Sequence, residues 1–254
     1  MERPFIKNSL SIRNNYPYDI PDRGRFRHTD SIYKYNNMGY RSNDDYIPND
    51  PSKKIMFFGC SVTEGVGVEY EDCWPAIVTK EFSKKMGQTY KNYNLSYNGC
   101  SCEHIARIFY QTVDLYNPDL VIILWTSTDR REYFIDSTQF ACITENRHLT
   151  DAKLLMFNEL RNESDDFYNF LRQFIFVESM LENRKIKRIH AQRGKYFIVP
   201  NRMKLYANPL YWLEYDIVNT WKYHEQKGLD KVHPGPLGHR NFSGLVVDKI
   251  NSIC

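Results

Sequence analysis

The chain has 254 residues, 42% of them hydrophobic, with 34 Lys and Arg against 31 Asp and Glu for a net charge of +3. That length carries one substantial core without requiring a second domain. The near-balance of charge, broken only by Arg184-Lys185-Ile186-Lys187-Arg188, gives no basic face of the kind nucleic acids need, and no apolar run approaches the ~20 residues of a membrane span.

The first 53 residues are rich in Tyr, Asn, Asp and Arg and poor in aliphatic runs. They read as an extension wrapped on a main domain of residues 54–254. Met1-Glu2-Arg3-Pro4-Phe5 lacks the apolar core of a signal peptide, so a non-exported, cytoplasmic product is expected. Abundant Asn, Lys and Tyr would suit an AT-rich genome, such as a viral one. The apolar run of residues 54–59 predicts a strand buried on both faces. Asp72 is expected to cap a helix running to Met86, with Trp74, Ile77, Val78 and Phe82 on one face and Gly87 as its stop.

Tyr90 to Leu95 predicts a second strand. A helix from Cys100 or Ser101 follows, with Ile105, Ile108, Phe109, Thr112 and Leu115 at helical spacing, and Asn117-Pro118 ends it. Leu120 to Trp125 is the clearest strand, continuous enough for the middle of a parallel sheet. Residues 151–188 predict a helix carrying Phe167, Phe170, Leu171, Phe174, Ile175 and Met180, broken near Asn162 to Ser164, with the basic run as its solvated end. Tyr196 to Val199 predicts a further strand. Trp212, Tyr215, Trp221 and Tyr223 read first as packing residues and second as the lining of a sugar or acyl pocket. A last helix starts at Pro236 and runs to about Asn251.

This alternation of strands and helices predicts a three-layer α/β/α sandwich with a mainly parallel, flavodoxin-like central sheet. Ligands in such sheets bind beyond the carboxyl ends of the strands. Ser61, Gly99 and Thr128 each fall just past one of those ends. Ser61 lies in Gly59-Cys60-Ser61-Val62-Thr63-Glu64-Gly65, and Asp230-Lys231-Val232-His233-Pro234 places an acid and an imidazole three residues apart. A serine hydroxyl becomes a useful nucleophile only when a neutral imidazole takes its proton and a third group fixes the ring. Each segment alone is an ordinary turn or surface pair; their order and context favour one site. Cys60 is expected to pack inward.

In these positions the sequence resembles the SGNH (GDSL-like) hydrolases, which carry four short blocks in fixed order. The usual Gly-Asp-Ser-x-Thr-x-Gly appears as Gly59 to Gly65 with Cys60 for the aspartate, and Gly99 matches the second block. The third, usually Gly-x-Asn-Asp, reads Thr126-Ser127-Thr128-Asp129; Asp230, His233, Pro234, Gly238 and His239 match the fourth. The resemblance implies an esterase with catalytic Ser61, His233 and Asp230 and an oxyanion hole made by the Ser61 and Gly99 N–H groups, with Thr128 where the family has asparagine. It implies no metal and no organic cofactor, and a small-molecule or glycan ester as substrate. Asn37-Met38-Gly39-Tyr40-Arg41-Ser42 is similar to a short segment that precedes the nucleophile strand in some members.

Arg130 and Arg131 are candidates for binding a substrate carboxylate or phosphate, against a plainer reading as surface ion pairs. The six cysteines show no disulfide framework and are expected as free thiols; Cys100 and Cys102 are too close for a CxxC pair. Two other functions stay open: an O-acyltransferase using the same triad, and a non-catalytic carbohydrate-binding or structural protein. The sequence does not speak to oligomeric state.

Overall fold

The structure, a computed structural model, describes residues 33–134, 140–143, 162–193, 203, 205–222 and 225–253. Its centre is a four-stranded sheet of β1 (Lys53–Gly59), β2 (Tyr90–Asn94), β3 (Leu120–Trp125) and β6 (Lys187–Gln192), in the order β2-β1-β3-β6. All three pairings are parallel, with Phe57 opposite both Asn94 and Ile122, and Ile122 opposite Ile189.

Successive side chains of a strand point to opposite faces, so each strand feeds two cores. Met56, Phe58, Val121, Ile123 and Trp125 bury against α3 (Cys102–Tyr116) and α4 (Glu163–Asn183). Ile55, Phe57, Ile122, Leu124 and Ile189 bury against α2 (Trp74–Met86) and α6 (Pro236–Ile253). The result is the expected three-layer α/β/α sandwich, with the sheet order of the flavodoxin-like class. Covering both faces explains why β1 and β3 read as unbroken apolar runs.

The helix boundaries follow local chemistry. Gly87 closes α2 in the left-handed region at φ 63°, where a residue without Cβ is unstrained. Ser101 caps α3, its side chain accepting from the His104 N–H, and Asn117 ends it at φ 45°. Asn162 caps α4 by accepting from the Asp165 N–H, and Glu163, Asp165 and Asp166 place negative charge at its N-terminal end. Asp72 does not cap α2; Cys73 holds that position, and Asp72 pairs with Arg240 at 3.1 Å.

Three differences from the sequence expectations stand out. The predicted helix over 151–188 stops at Asn183, and its basic end becomes β6, where Arg188 is buried on Glu178 and Glu182. Ile175, assigned to the apolar stripe of that helix, is 49% exposed. A small antiparallel pair, β4 (Arg131–Phe134) with β5 (Phe140–Ile143), follows β3 and was not foreseen. The predicted strand at Tyr196 to Val199 lies outside the described residues. Trp212 and Trp221 are core residues, and Tyr215 packs on Phe242; Tyr223 lies outside the described residues. Among the described residues no helix is long and apolar enough to cross a membrane.

Candidate active site

Ser61 opens α1 (Ser61–Glu64), a single turn of helix directly beyond β1. The turn is tight at both ends. A Cβ on Gly59 would stand 2.1 Å from Thr63 Oγ1 and 3.0 Å from the Leu124 carbonyl, so only glycine lets β1 pass into α1 here. Gly65 takes φ 83°, and the N–H groups of Gly65 and Val66 both donate to the Ser61 carbonyl, at 3.0 and 2.9 Å. Ser61 itself is 3% exposed.

Arg41 fixes the far side of this turn. Its buried guanidinium donates to the carbonyls of Gly65 and, at 2.7 Å, of Val68, and it stacks 3.8 Å from the centre of the Tyr33 ring. The segment around it also anchors elsewhere: Tyr46 stacks on Tyr93 at 4.3 Å and donates to the Asn94 carbonyl at 3.0 Å.

Glu64, buried at the end of α1, accepts from the Asn98 N–H at 2.6 Å. That bond ties the nucleophile turn to the loop beyond β2, where Gly99 takes φ 77°. A Cβ there would meet nothing within 4 Å, so the Gly99 backbone borders open space. The Gly99 N–H donates to no described residue.

The acid and imidazole are joined directly. His233 Nδ1 hydrogen-bonds Asp230 Oδ2, while Asp230 Oδ1 accepts from the N–H groups of Val232 and His233 at 3.1 and 3.0 Å. Burial pushes the Asp230 carboxyl up, but the imidazole and the two amides outweigh it and hold the group below its ordinary range. With Nδ1 donating to an ionised carboxylate, the neutral ring presents Nε2 as its basic atom.

This turn is docked onto the nucleophile turn through backbone. The Leu229 N–H donates to the Gly67 carbonyl at 2.7 Å. A Cβ on Gly228 would stand 2.6 Å from that same carbonyl oxygen, and a Cβ on Gly67 would stand 2.7 Å from Asp230 Oδ1. Two glycines thus let the Asp230 carboxylate pack against the chain six positions after the serine. The Gly67 N–H in turn donates to the Tyr33 hydroxyl at 2.7 Å.

Thr128 lies on the turn beyond β3, partly buried, so the loops after β2, β1 and β3 share one edge of the sheet. Arg130 reaches back from that turn, its Nη1 2.7 Å from Cys60 Sγ and 3.4 Å from the Cys100 carbonyl. Arg131 points into α4, paired with Asp165 at 2.6 Å and Asp166 at 3.1 Å, with Glu103 at 3.6 Å. Its donors are taken up by protein carboxylates, as in the ion-pair reading. His239 is fully buried, accepts from the Trp74 N–H at 3.2 Å, and is pushed down to about 3 by burial first and nearby positive charge second. It is a neutral support for the start of α2.

Sequence reasoning did not single out Arg41, Glu64 or Gly67 for the site. The Asn37 to Ser42 segment was the available signal for Arg41, and the spacing of Gly65 and Gly67 for the tight turn; nothing local marked Glu64. Among the described residues no group of three His, Cys, Asp or Glu side chains is placed to hold a metal ion.

No protein-family model matches the sequence, and no curated protein matches it. Solved structures do share its fold. A psychrotrophic esterase, EstA from Pseudoalteromonas sp., superposes with a TM-score of 0.52 at 10% identity, over 79% of this chain and 97% of its own. A lipase, Lip_vut3 from a goat rumen metagenome, gives 0.54 at 11% identity, over 78% and 97%. TesA gives 0.52 at 10%, over 80% and 100%. The chain therefore shares its α/β/α fold with an esterase and a lipase.

Proposed function

We propose that the protein is a serine esterase that hydrolyses an acyl or acetyl ester, on a small molecule or a glycan. Ser61 Oγ attacks the ester carbonyl as His233 Nε2 takes its proton. Asp230 keeps the ring in that tautomer and stabilises the imidazolium. The tetrahedral oxyanion is held by the N–H groups of Ser61 and Gly99, with the Thr128 hydroxyl as third donor in place of an amide. The imidazolium then protonates the departing alcohol, and water, activated by the same ring, releases the acid from the acyl-serine.

The observation that carries this reading is the backbone docking of the Asp230–His233 turn onto the turn that follows Ser61. A paired acid and imidazole elsewhere on the surface would be an ordinary ion pair; here two glycines admit the carboxylate against Gly67, six residues after a serine at a strand end. The fold shared with an esterase and a lipase agrees with that chemistry. Arg131 has no part in the proposal, since its donors are occupied.

The test is fluorophosphonate labelling followed by peptide-resolved mass analysis, beside His233→Ala. A single adduct on Ser61, lost in the variant, is the expected result. A folded protein that takes no adduct on Ser61 would overturn the assignment.

A further inference from the structure

The proposed chemistry leaves two buried thiols beside its nucleophile unexplained. Cys60 precedes Ser61 and Cys100 follows Gly99, so each thiol adjoins a group assigned to the reaction. Cys60 Sγ lies 3.8 Å from Ser61 Oγ, and Cys100 Sγ lies 3.3 Å from the carbonyl of Gly59, the residue before Cys60. Arg130 spans the two, with Nη1 on Cys60 Sγ at 2.7 Å and on the Cys100 carbonyl at 3.4 Å. A guanidinium at that distance favours the thiolate, which is the reactive form of cysteine.

The remaining described cysteines are unlike Cys60. Cys73 Sγ lies 3.4 Å from the Thr63 carbonyl and its thiol is pushed up to about 12, chiefly by burial. Cys102 Sγ lies 3.6 Å from the Thr126 carbonyl. Cys60, in contrast, is held well below the usual thiol range, by a hydrogen bond from Cys100 first and then, against the cost of burial, by the Arg130 charge. The position where the resembled family carries an aspartate thus holds a side chain that becomes an anion without losing its capacity for oxidation.

We propose that Cys60 and Cys100 are a redox-sensitive pair, which a hydroperoxide converts to a disulfide that shuts down Ser61. The Cys60 thiolate attacks the terminal peroxide oxygen; an S–O bond forms, the O–O bond breaks, and the departing alkoxide or hydroxide takes up a proton. The Cys100 sulfur then attacks the Cys60 sulfenic acid; the S–S bond forms, the S–O bond breaks, and hydroxide leaves as water with the Cys100 proton. The two sulfurs give up two electrons in all, and the peroxide accepts them. The disulfide removes the anion beside Ser61, takes the Cys60 thiolate from Arg130 and links the nucleophile turn to the Gly99 loop. A thiol reductant reverses it. Only the effect on Ser61 rests on the esterase reading; the disulfide does not.

The test treats the full chain with a small excess of hydrogen peroxide, blocks remaining thiols, and digests without reductant using trypsin and a Glu-specific protease. Fragment spectra must separate Cys60 from Cys73 and Cys100 from Cys102. The expected result is a Cys60–Cys100 cross-linked peptide that disappears on reduction, with at least a tenfold slower fluorophosphonate labelling of Ser61 that reduction restores. In Cys100→Ser the cross-link gives way to a dimedone adduct on Cys60. Absence of the cross-link from the oxidised wild-type chain, or oxidation spread evenly over Cys73 and Cys102, overturns the pair. A cross-link that leaves Ser61 labelling unchanged overturns the shut-down. Labelling of Ser61 in neither redox state defeats the esterase reading instead, and the pair is then judged on the cross-link alone.

Discussion

Ser61 sits on a turn whose shape comes from backbone hydrogen bonds and buried neighbours, whereas His233 sits on a partly exposed turn in which one carboxylate adds to the backbone hydrogen bonds. Around Ser61, two N–H groups converge on its carbonyl, Arg41 ties down Gly65 and Val68, and Glu64 reaches the next loop. Around His233, Asp230 alone accepts two backbone N–H groups and the imidazole, while Lys231 and Val232 stand exposed. The first turn is therefore costly to alter, and the second is held largely by its own residues together with its docking on Gly67. Changes to the supports of the first should cost stability, and changes within the second should cost turnover.

The largest expected effect is that of Ser61→Ala, which should lower ester turnover by about a millionfold while thermal unfolding stays close to wild type. Wild-type turnover in that variant would remove Ser61 from the chemistry. Asp230→Asn should cost about 10⁴-fold, because an amide that donates to Nδ1 selects the wrong ring tautomer. If its loss in kcat came with a large drop in melting temperature, the carboxylate would be a structural clamp and the contrast between the turns would blur. Thr128→Ala should cost about a hundredfold in kcat if the hydroxyl is a third oxyanion donor. An unchanged kcat would leave the two backbone N–H groups as the whole hole.

Arg41→Ala should show the opposite signature. It leaves the buried Gly65 and Val68 carbonyls without their charged donor and should lower the free energy of unfolding by about 2–4 kcal/mol, read by denaturant titration. A variant as stable as wild type would mean that the nucleophile turn holds itself.

Acid sharpens the same contrast. Glu132 and Glu178 are each held at about 2 against an ordinary 4.5, because burial, which pushes them up, is outweighed by His104 with Arg107 and by His190 with Arg188. A depressed carboxyl contributes stability that is present above its unfolded value and lost as pH falls through its folded one. Stability should therefore fall from about pH 4.5 toward about 2, and Glu178→Gln should flatten that fall. Asp230→Asn should change it less, since only one partly exposed turn is involved.

The parts of the fold that show in the sequence are those with a hydropathy signature. Leu120 to Trp125 is apolar on both faces and was bounded correctly, as were the stops at Gly87 and Asn117. β6 escaped because three of its five buried side chains are polar. Arg188, His190 and Gln192 bury through Glu178, Trp125 Nε1 and the Thr126 carbonyl, partners that no local pattern reveals. His190 accepts from Trp125 on Nδ1 and so donates from Nε2 to Glu178, and burial keeps it neutral.

The site divides the same way. Asp230 and His233 are legible because their contact spans three residues, and Gly99 because its loop follows a strand. Arg41, Glu64 and Gly67 act on groups 24, 34 and 163 residues away in sequence, so their roles appear only once the chain is folded. The expectation that Cys60 packs inward agrees with its burial, but its contact with Arg130 was not foreseen.

The docking of Leu229 on Gly67 also bears on how the protein comes into being. A ribosome delivers Ser61 172 residues (233 − 61) before His233, and α6, which packs on α2, comes later still. At about 5–20 residues per second, the interval between the two lasts on the order of ten seconds or more. During it, β1, β2 and β3 already have their neighbours in the emerging chain, but the edge of the sheet lacks His233. Under the proposed mechanism a nascent chain would thus hold its hydroxyl idle until His233 has emerged, and a message truncated upstream of Asp230 would yield a protein without the imidazole that the mechanism needs.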